Sequence, residues 1–151
     1  MVSYETEHKI HVVVSLIATL CIATFFTSTI IVELFGSHEM IATTKNFILM
    51  PGLLILIPAM AATGGTGFAL SKTQKGQLVN SKKKRMPIIA ANGILILIPA
   101  ALFLEQWASN GDFDTRFYIV QSIELVAGLI NLTLMGLNIR DGRKIHKDRK
   151  R

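Results

Sequence analysis

The sequence predicts an all-α integral membrane protein, a four-helix bundle with proline-kinked second and third helices and both termini in the cytoplasm. Three observations lead there. Half of the 151 residues are hydrophobic and only 17% are charged, against about 25% charged in a soluble domain. The charges avoid four stretches, at about 10–35, 47–70, 86–104 and 117–139. Each is near the roughly 20 apolar residues that a helix needs to cross a hydrocarbon core about 30 Å thick. Finally, the basic residues collect in a loop, 71–85, and a tail, 140–151, which the positive-inside rule places in the cytoplasm. Four spans between cytoplasmic ends give a consistent parity, so 1–151 reads as one transmembrane domain.

The first span carries no charge between Ile10 and Glu33. It is far longer than the apolar region of a signal peptide, and Glu5 and Glu7 spoil the basic leader that such a peptide needs. Ser15, Thr19, Thr24, Thr27, Ser28 and Thr29 suit close helix packing, and Cys21 stands alone, so no disulfide framework is implied. The second span has no charge at all, and Gly64, Gly65, Thr66 and Gly67 are expected to end it. Lys45 and Arg116 are read as residues of the two outer loops, among Glu39, Glu105, Asp112 and Asp114. Trp107 and Tyr118 fall where an outer interface would be.

Pro58 and Pro99 lie inside the second and third spans. Each removes a helical hydrogen bond and clashes with the carbonyl four residues back, Leu54 or Leu95, so kinks are expected there. The segments also echo one another: Gly52 to Ala59 recurs, with one change, as Gly93 to Ala100. In adjacent, oppositely directed spans this is the pattern of an inverted repeat, or a chance match of leucine- and isoleucine-rich helices.

The fourth span holds the most informative pattern. Gln121, Glu124, Gly128, Asn131, Met135 and Asn138 recur at spacings of three and four, which puts them on one helix face. Ile119, Leu125, Ile130 and Leu137 oppose them. A carboxylate at the centre of a span costs about 2.5–3.5 kcal/mol on insertion scales. Glu124 is therefore expected to face the bundle or a dimer interface. Gln121, Asn92 or threonine hydroxyls are its candidate partners, with a proton or ion relay as the functional alternative. A homodimer would give so small a chain more interior for this stripe.

His8 and His11 are three apart at the cytoplasmic mouth of the first span and are candidate haem or metal ligands. His38 lies about 40 Å along the helix from His11, and His146 reads as solvated in the tail. There is no HExxH, cysteine cluster, CxxCH, nucleophile elbow or P-loop. The net charge of +6 is not a nucleic-acid signal here. It suits anionic lipid headgroups, at about 1 kcal/mol per basic residue near the surface.

The run 113–142, with Gln121, Glu124, Gly128, Asn131, Gly136, Asn138, Arg140 and Gly142, resembles small bacterial inner-membrane proteins of four spans and unassigned function. The resemblance extends over Leu53 to Phe68 and Lys82 to Leu104. In layout the chain is more distantly similar to HemJ-type protoporphyrinogen oxidases and CopD-like membrane proteins. The HemJ type has a histidine at the start of its first span and a lysine near a later one, both linked to haem b. That resemblance points to His11, and to one of Lys82, Lys83 and Lys84. Three functions follow as expectations: a non-enzymatic helix-packing or partner protein, a haem-b redox protein using His11, or a small proton or ion transporter using Glu124.

Overall fold

The computed structural model describes residues 4–73 and 75–149. All regular structure among them is helical. Four rods dominate: α1 (Tyr4–Phe35), α2 (His38–Lys72), α3 (Gln77–Asn110) and α4 (Thr115–Lys147), each long and apolar enough to cross a membrane. Lys150 and Arg151, the end of the basic tail, lie outside the described residues.

The rods run up and down. With the end that carries the Lys72–Arg85 segment called inner and the opposite end outer, the inner half of α2 packs on α1, the first half of α3 on α4, and the outer halves of α2 and α3 on each other. Two apolar clusters hold them. Val32, Ile41, Ala100, Leu104, Ala108 and Phe117 close the outer half. Ala18, Ile22, Ala59, Ile89 and Met135 close the inner half. Meanwhile Val13, Leu20, Leu34, Leu54, Leu95 and Val126 are more than half exposed on the outside. A soluble bundle of this size rarely leaves so much apolar surface uncovered; in a bilayer these side chains would meet lipid.

Each rod is longer than its apolar stretch, and three sequence expectations change as a result. The segment before 47 is helix, not loop. Ser37 caps it, its hydroxyl accepting from the Met40 N–H at 3.3 Å. The basic loop shrinks to the residues around Gly76, whose φ of +133° suits glycine; α3 begins at Gln77 because Val79 is buried and Arg85 is paired. Gly64, Gly65 and Gly67 do not end α2. The Thr63 and Thr66 hydroxyls bond back to the carbonyls of Ala59 and Ala62, and the helix continues to Thr73.

Proline expectations meet a different backbone. Wide π turns occupy Ile48–Leu53 and Gly93–Leu97, so each half of the internal echo begins within one. Pro99 follows directly, and the Leu95 carbonyl with which it would clash lies in the widened turn. The chain passes Pro58 as α-helix. Non-helical backbone in α2 falls instead at Met50 (φ −136°, ψ 115°). It precedes Pro51, and a residue before proline is driven out of the helical region.

The two outer turns are held locally. After α3, Gly111 takes a left-handed conformation (φ 78°), and the Gly111 and Asp112 N–H groups bond back to Ala108 and Trp107. Asp114 then caps α4. Its Oδ1 accepts from the N–H groups of Arg116 (2.9 Å) and Phe117 (3.2 Å), while its Oδ2 takes the Arg116 side chain. The Arg116 hydrogen bond holds the Asp114 carboxyl below the usual carboxylate range. A lowered carboxyl stabilises the fold above its ordinary pKa of about 3.9. That contribution is lost as pH falls through the lowered folded value. Asp114→Ala should therefore lower the melting temperature at neutral pH, and the gap to wild type should close in strongly acid buffer. Thermal melts across that range check both halves of the expectation.

Candidate functional site

The polar stripe of α4 faces inward as expected. Gln121, Gly128, Asn131 and Met135 are buried, while Ile119 and Ile130 are exposed. Most of its hydrogen bonds are made within the chain, though Gln121 Oε1 is buried without a donor. Asn92 does not reach Glu124. Its Nδ2 donates to the Ala127 carbonyl and to Asn131 Oδ1, both at 2.8 Å, and Asn131 Nδ2 donates to the Ile89 carbonyl at 3.4 Å. This clamp ties α3 to α4 beside the second π turn. Gly128 lets Phe26 approach from α1, where an added Cβ would sit 3.3 Å from the ring.

Glu124 pairs with a residue that the sequence reading puts in a loop. Lys45 lies on α2, 1% exposed, with its Nζ 2.5 Å from Glu124 Oε2. The same ammonium is 3.5 Å from Thr29 Oγ1 of α1, and Gln121 Nε2 donates to Glu124 Oε2 at 2.9 Å. Lys45 is inside because Ile41, Lys45 and Ile48 form one buried helix face. That i, i+4, i+7 spacing was the available signal. Burying both ions is affordable only because each satisfies the other.

The second polar region is a cavity of about 470 Å³ between the inner ends of α1, α2, α3 and α4. Ligand pockets commonly span about 300–1,000 Å³. Leu16, Met60, Met86, Ile89, Met135 and Ile139 give it apolar walls. Lys82, Lys83 and Arg143 also line it, with His8, His11 and His146. Asn138, the last residue of the stripe, also lines it and accepts from Arg85 at 3.3 Å. Arg85 meets buried Asp141 at 2.7 Å and fixes the end of α4 against α3.

The two candidate histidines part company. His8 stacks on His146 (ring centroids 5.1 Å, 14° between planes), so His146 belongs to the cavity rather than to a free tail. His11 Nδ1 lies 3.0 Å from Thr66 Oγ1. That hydroxyl donates its own proton to the Ala62 carbonyl at 2.6 Å. With that proton on Ala62, the hydroxyl can accept from His11 Nδ1–H, the tautomer that keeps the Nε2 lone pair. Gly67 makes the room: a Cβ there would fall 2.5 Å from Met86 Cε and 3.1 Å from His11 Cε1.

No group of three histidine, cysteine or carboxylate side chains suited to a bare metal ion occurs among the described residues. A haem iron would ask for fewer protein ligands than a bare ion. The cavity brings together an imidazole, apolar walls and cationic side chains. Comparison with family models, curated proteins and solved structures gave no match. Function is therefore read from the side chains of this chain.

Proposed function

We propose that this chain is a four-span protein of the bacterial inner membrane, with both termini cytoplasmic, that binds haem b in its cytoplasmic cavity. The observation that carries the reading is His11. It lines a cavity with apolar walls and basic side chains, and with Nδ1–H donated to Thr66 its Nε2 would be a lone-pair donor. His11 would hold the iron, and His8 and Met86, which line the same cavity, also have the chemistry to do so. Lys82, Lys83 and Arg143 would pair with the propionates. When bound, the haem would supply one-electron redox chemistry; the protein would set its orientation and exclude water from its faces.

Orientation follows from charge. Lys72, Lys75, Lys82, Lys83, Lys84 and Arg85 lie at the cavity end, as do Arg140, Arg143, Lys144 and Lys147, and the positive-inside rule puts that end in the cytoplasm. Within the chain, Asn92, Lys45 and Arg85 engage the α4 stripe. The test is an absorption spectrum of protein purified in mild detergent from haem-replete cells, oxidised and then reduced with dithionite. One haem per chain is expected. A folded, colourless protein that also takes up no added haem would overturn the proposal.

A further inference from the structure

The cavity between the inner ends of the rods is elongated and graded in polarity. On α2, α3 and α4 its lining falls within 60–71, 79–90 and 135–146, and on α1 it reaches Thr19. Each of those three runs is eleven residue steps, roughly 16 Å at 1.5 Å per step. The cavity therefore lies along the helices, as lipid chains do. Lys82, Lys83 and Arg143 line its inner end. Among the described residues no carboxylate lines it, and none of these three cations is in an ion pair. Nearby Asp141 is taken by Arg85 and Arg140. Deeper in the membrane the walls are Leu16, Met60, Ile89 and Met135. The hydroxyls at that level are engaged on their own helices. Ser15, Thr19 and Thr63 donate to the carbonyls of Val12 (3.1 Å), Ser15 (2.7 Å) and Ala59 (2.7 Å). A ligand that suits both ends carries an anionic head on a long apolar chain.

One side of the cavity reaches the surface of the bundle. α1 meets α4 at two levels. His8 stacks on His146 at the inner end, and Ala18, Ile22 and Met135 share an apolar cluster deeper in. Between these levels Val12 and Leu16 line the cavity, yet they are 48% and 51% exposed. His8, Val12 and Leu16 are four apart, so they share the face that His8 turns to α4. Val12 and Leu16 are thus the lip of an opening that faces lipid.

We infer that the cavity opens sideways between α1 and α4 and takes a long-chain carboxylate from the leaflet at its inner end. The chain lies along Leu16 and Met135, and the carboxylate meets Lys82, Lys83 and Arg143. A compact head suits this place better than a phospholipid head. Lys82 Nζ lies over Gly142, where an added Cβ would be 3.3 Å from it, so the head must come in between helices to reach it. The inference rests on the reading of this cavity as a ligand site, but not on the ligand being haem. Haem and an acyl chain would compete for the same space.

The probe is palmitate with a diazirine near the end of its chain, photolysed with the whole protein in phosphatidylcholine nanodiscs. Adducts are mapped by mass spectrometry. They are expected on Met60, Ile89 and Met135 inside the cavity, besides those on the exposed Val13, Leu20 and Val126. The methyl ester of the probe should give about tenfold fewer cavity adducts, the loss of one charge-assisted contact, and the same outer ones. Lys82→Ala/Lys83→Ala/Arg143→Ala should do the same to the acid. So should Leu16→Trp, which fills the opening. Adducts on the outer faces alone, or equal cavity labelling by acid and ester, would overturn the inference. Stronger cavity labelling by phosphatidylglycerol with the same chain would overturn it too, and put a phospholipid there. Acid and ester are compared on wild type, so the result stands even if a variant does not fold. Protein from haem-deficient cells keeps haem out of the cavity, so missing adducts count against this inference alone. Haem uptake by the same preparation judges the haem reading.

Discussion

Lys45→Met is expected to destabilise the protein by about 3–5 kcal/mol, the usual cost of removing one partner from a buried ion pair. Lys45 is 1% and Glu124 13% exposed, so water cannot take over the lost contact. Thr29 also loses its donor and Gln121 stays tied to an uncompensated carboxylate. The double variant Lys45→Met/Glu124→Gln should recover most of the loss, since neither ion of the pair is left and an amide at 124 still accepts from Gln121. Such recovery is what buried pairs show when both ions go. Unfolding midpoints in mixed detergent micelles measure all three proteins. A single variant as stable as wild type, or a double variant no better than the single, would mean that the pair does not hold the outer half together.

The second large effect concerns His11. If it ligates haem, His11→Ala should remove the reduced-minus-oxidised difference spectrum almost entirely while helix content is kept. Thr66→Val is the more searching test. It keeps the imidazole and nearly the same volume, but removes the hydroxyl that lies 3.0 Å from His11 Nδ1. Loss of an outer partner of this kind typically weakens metal affinity 10–100-fold. Thr66→Val should therefore still bind haem, with a titration midpoint shifted by that factor. Equal spectra and midpoints for wild type and both variants would remove His11 from the site.

These two sites differ in how far the sequence announced them. The stripe from Gln121 to Asn138 was legible because helix periodicity is a local property, and one face of α4 is polar while the rest is apolar. His11 was legible as a type of residue at a span mouth, but not its partner. Thr66 is 55 residues away, and nothing in either segment specifies that contact. His146 looked like part of a solvated tail until α4 carried it back over His8. Lys45 was missed for another reason. Thr43, Thr44 and Asn46 make its surroundings look like a loop, and only the Ile41 and Ile48 positions betray a buried face.

By itself the sequence determined that there are four apolar helices, which ends are basic, and which face of the last helix is polar. Each of these is a sum over one segment, of transfer free energy, charge or periodicity, and needs no knowledge of the neighbours. The tertiary structure decided the pairings: Lys45 with Glu124, Asn92 with Asn131, Arg85 with Asp141, His11 with Thr66. It also decided where the rods break, at a π turn or at Met50. Those outcomes depend on how far and at what rotation one helix sits from another. A buried polar group is satisfied only at hydrogen-bond distance, and that distance is set between segments that sequence alone leaves unregistered.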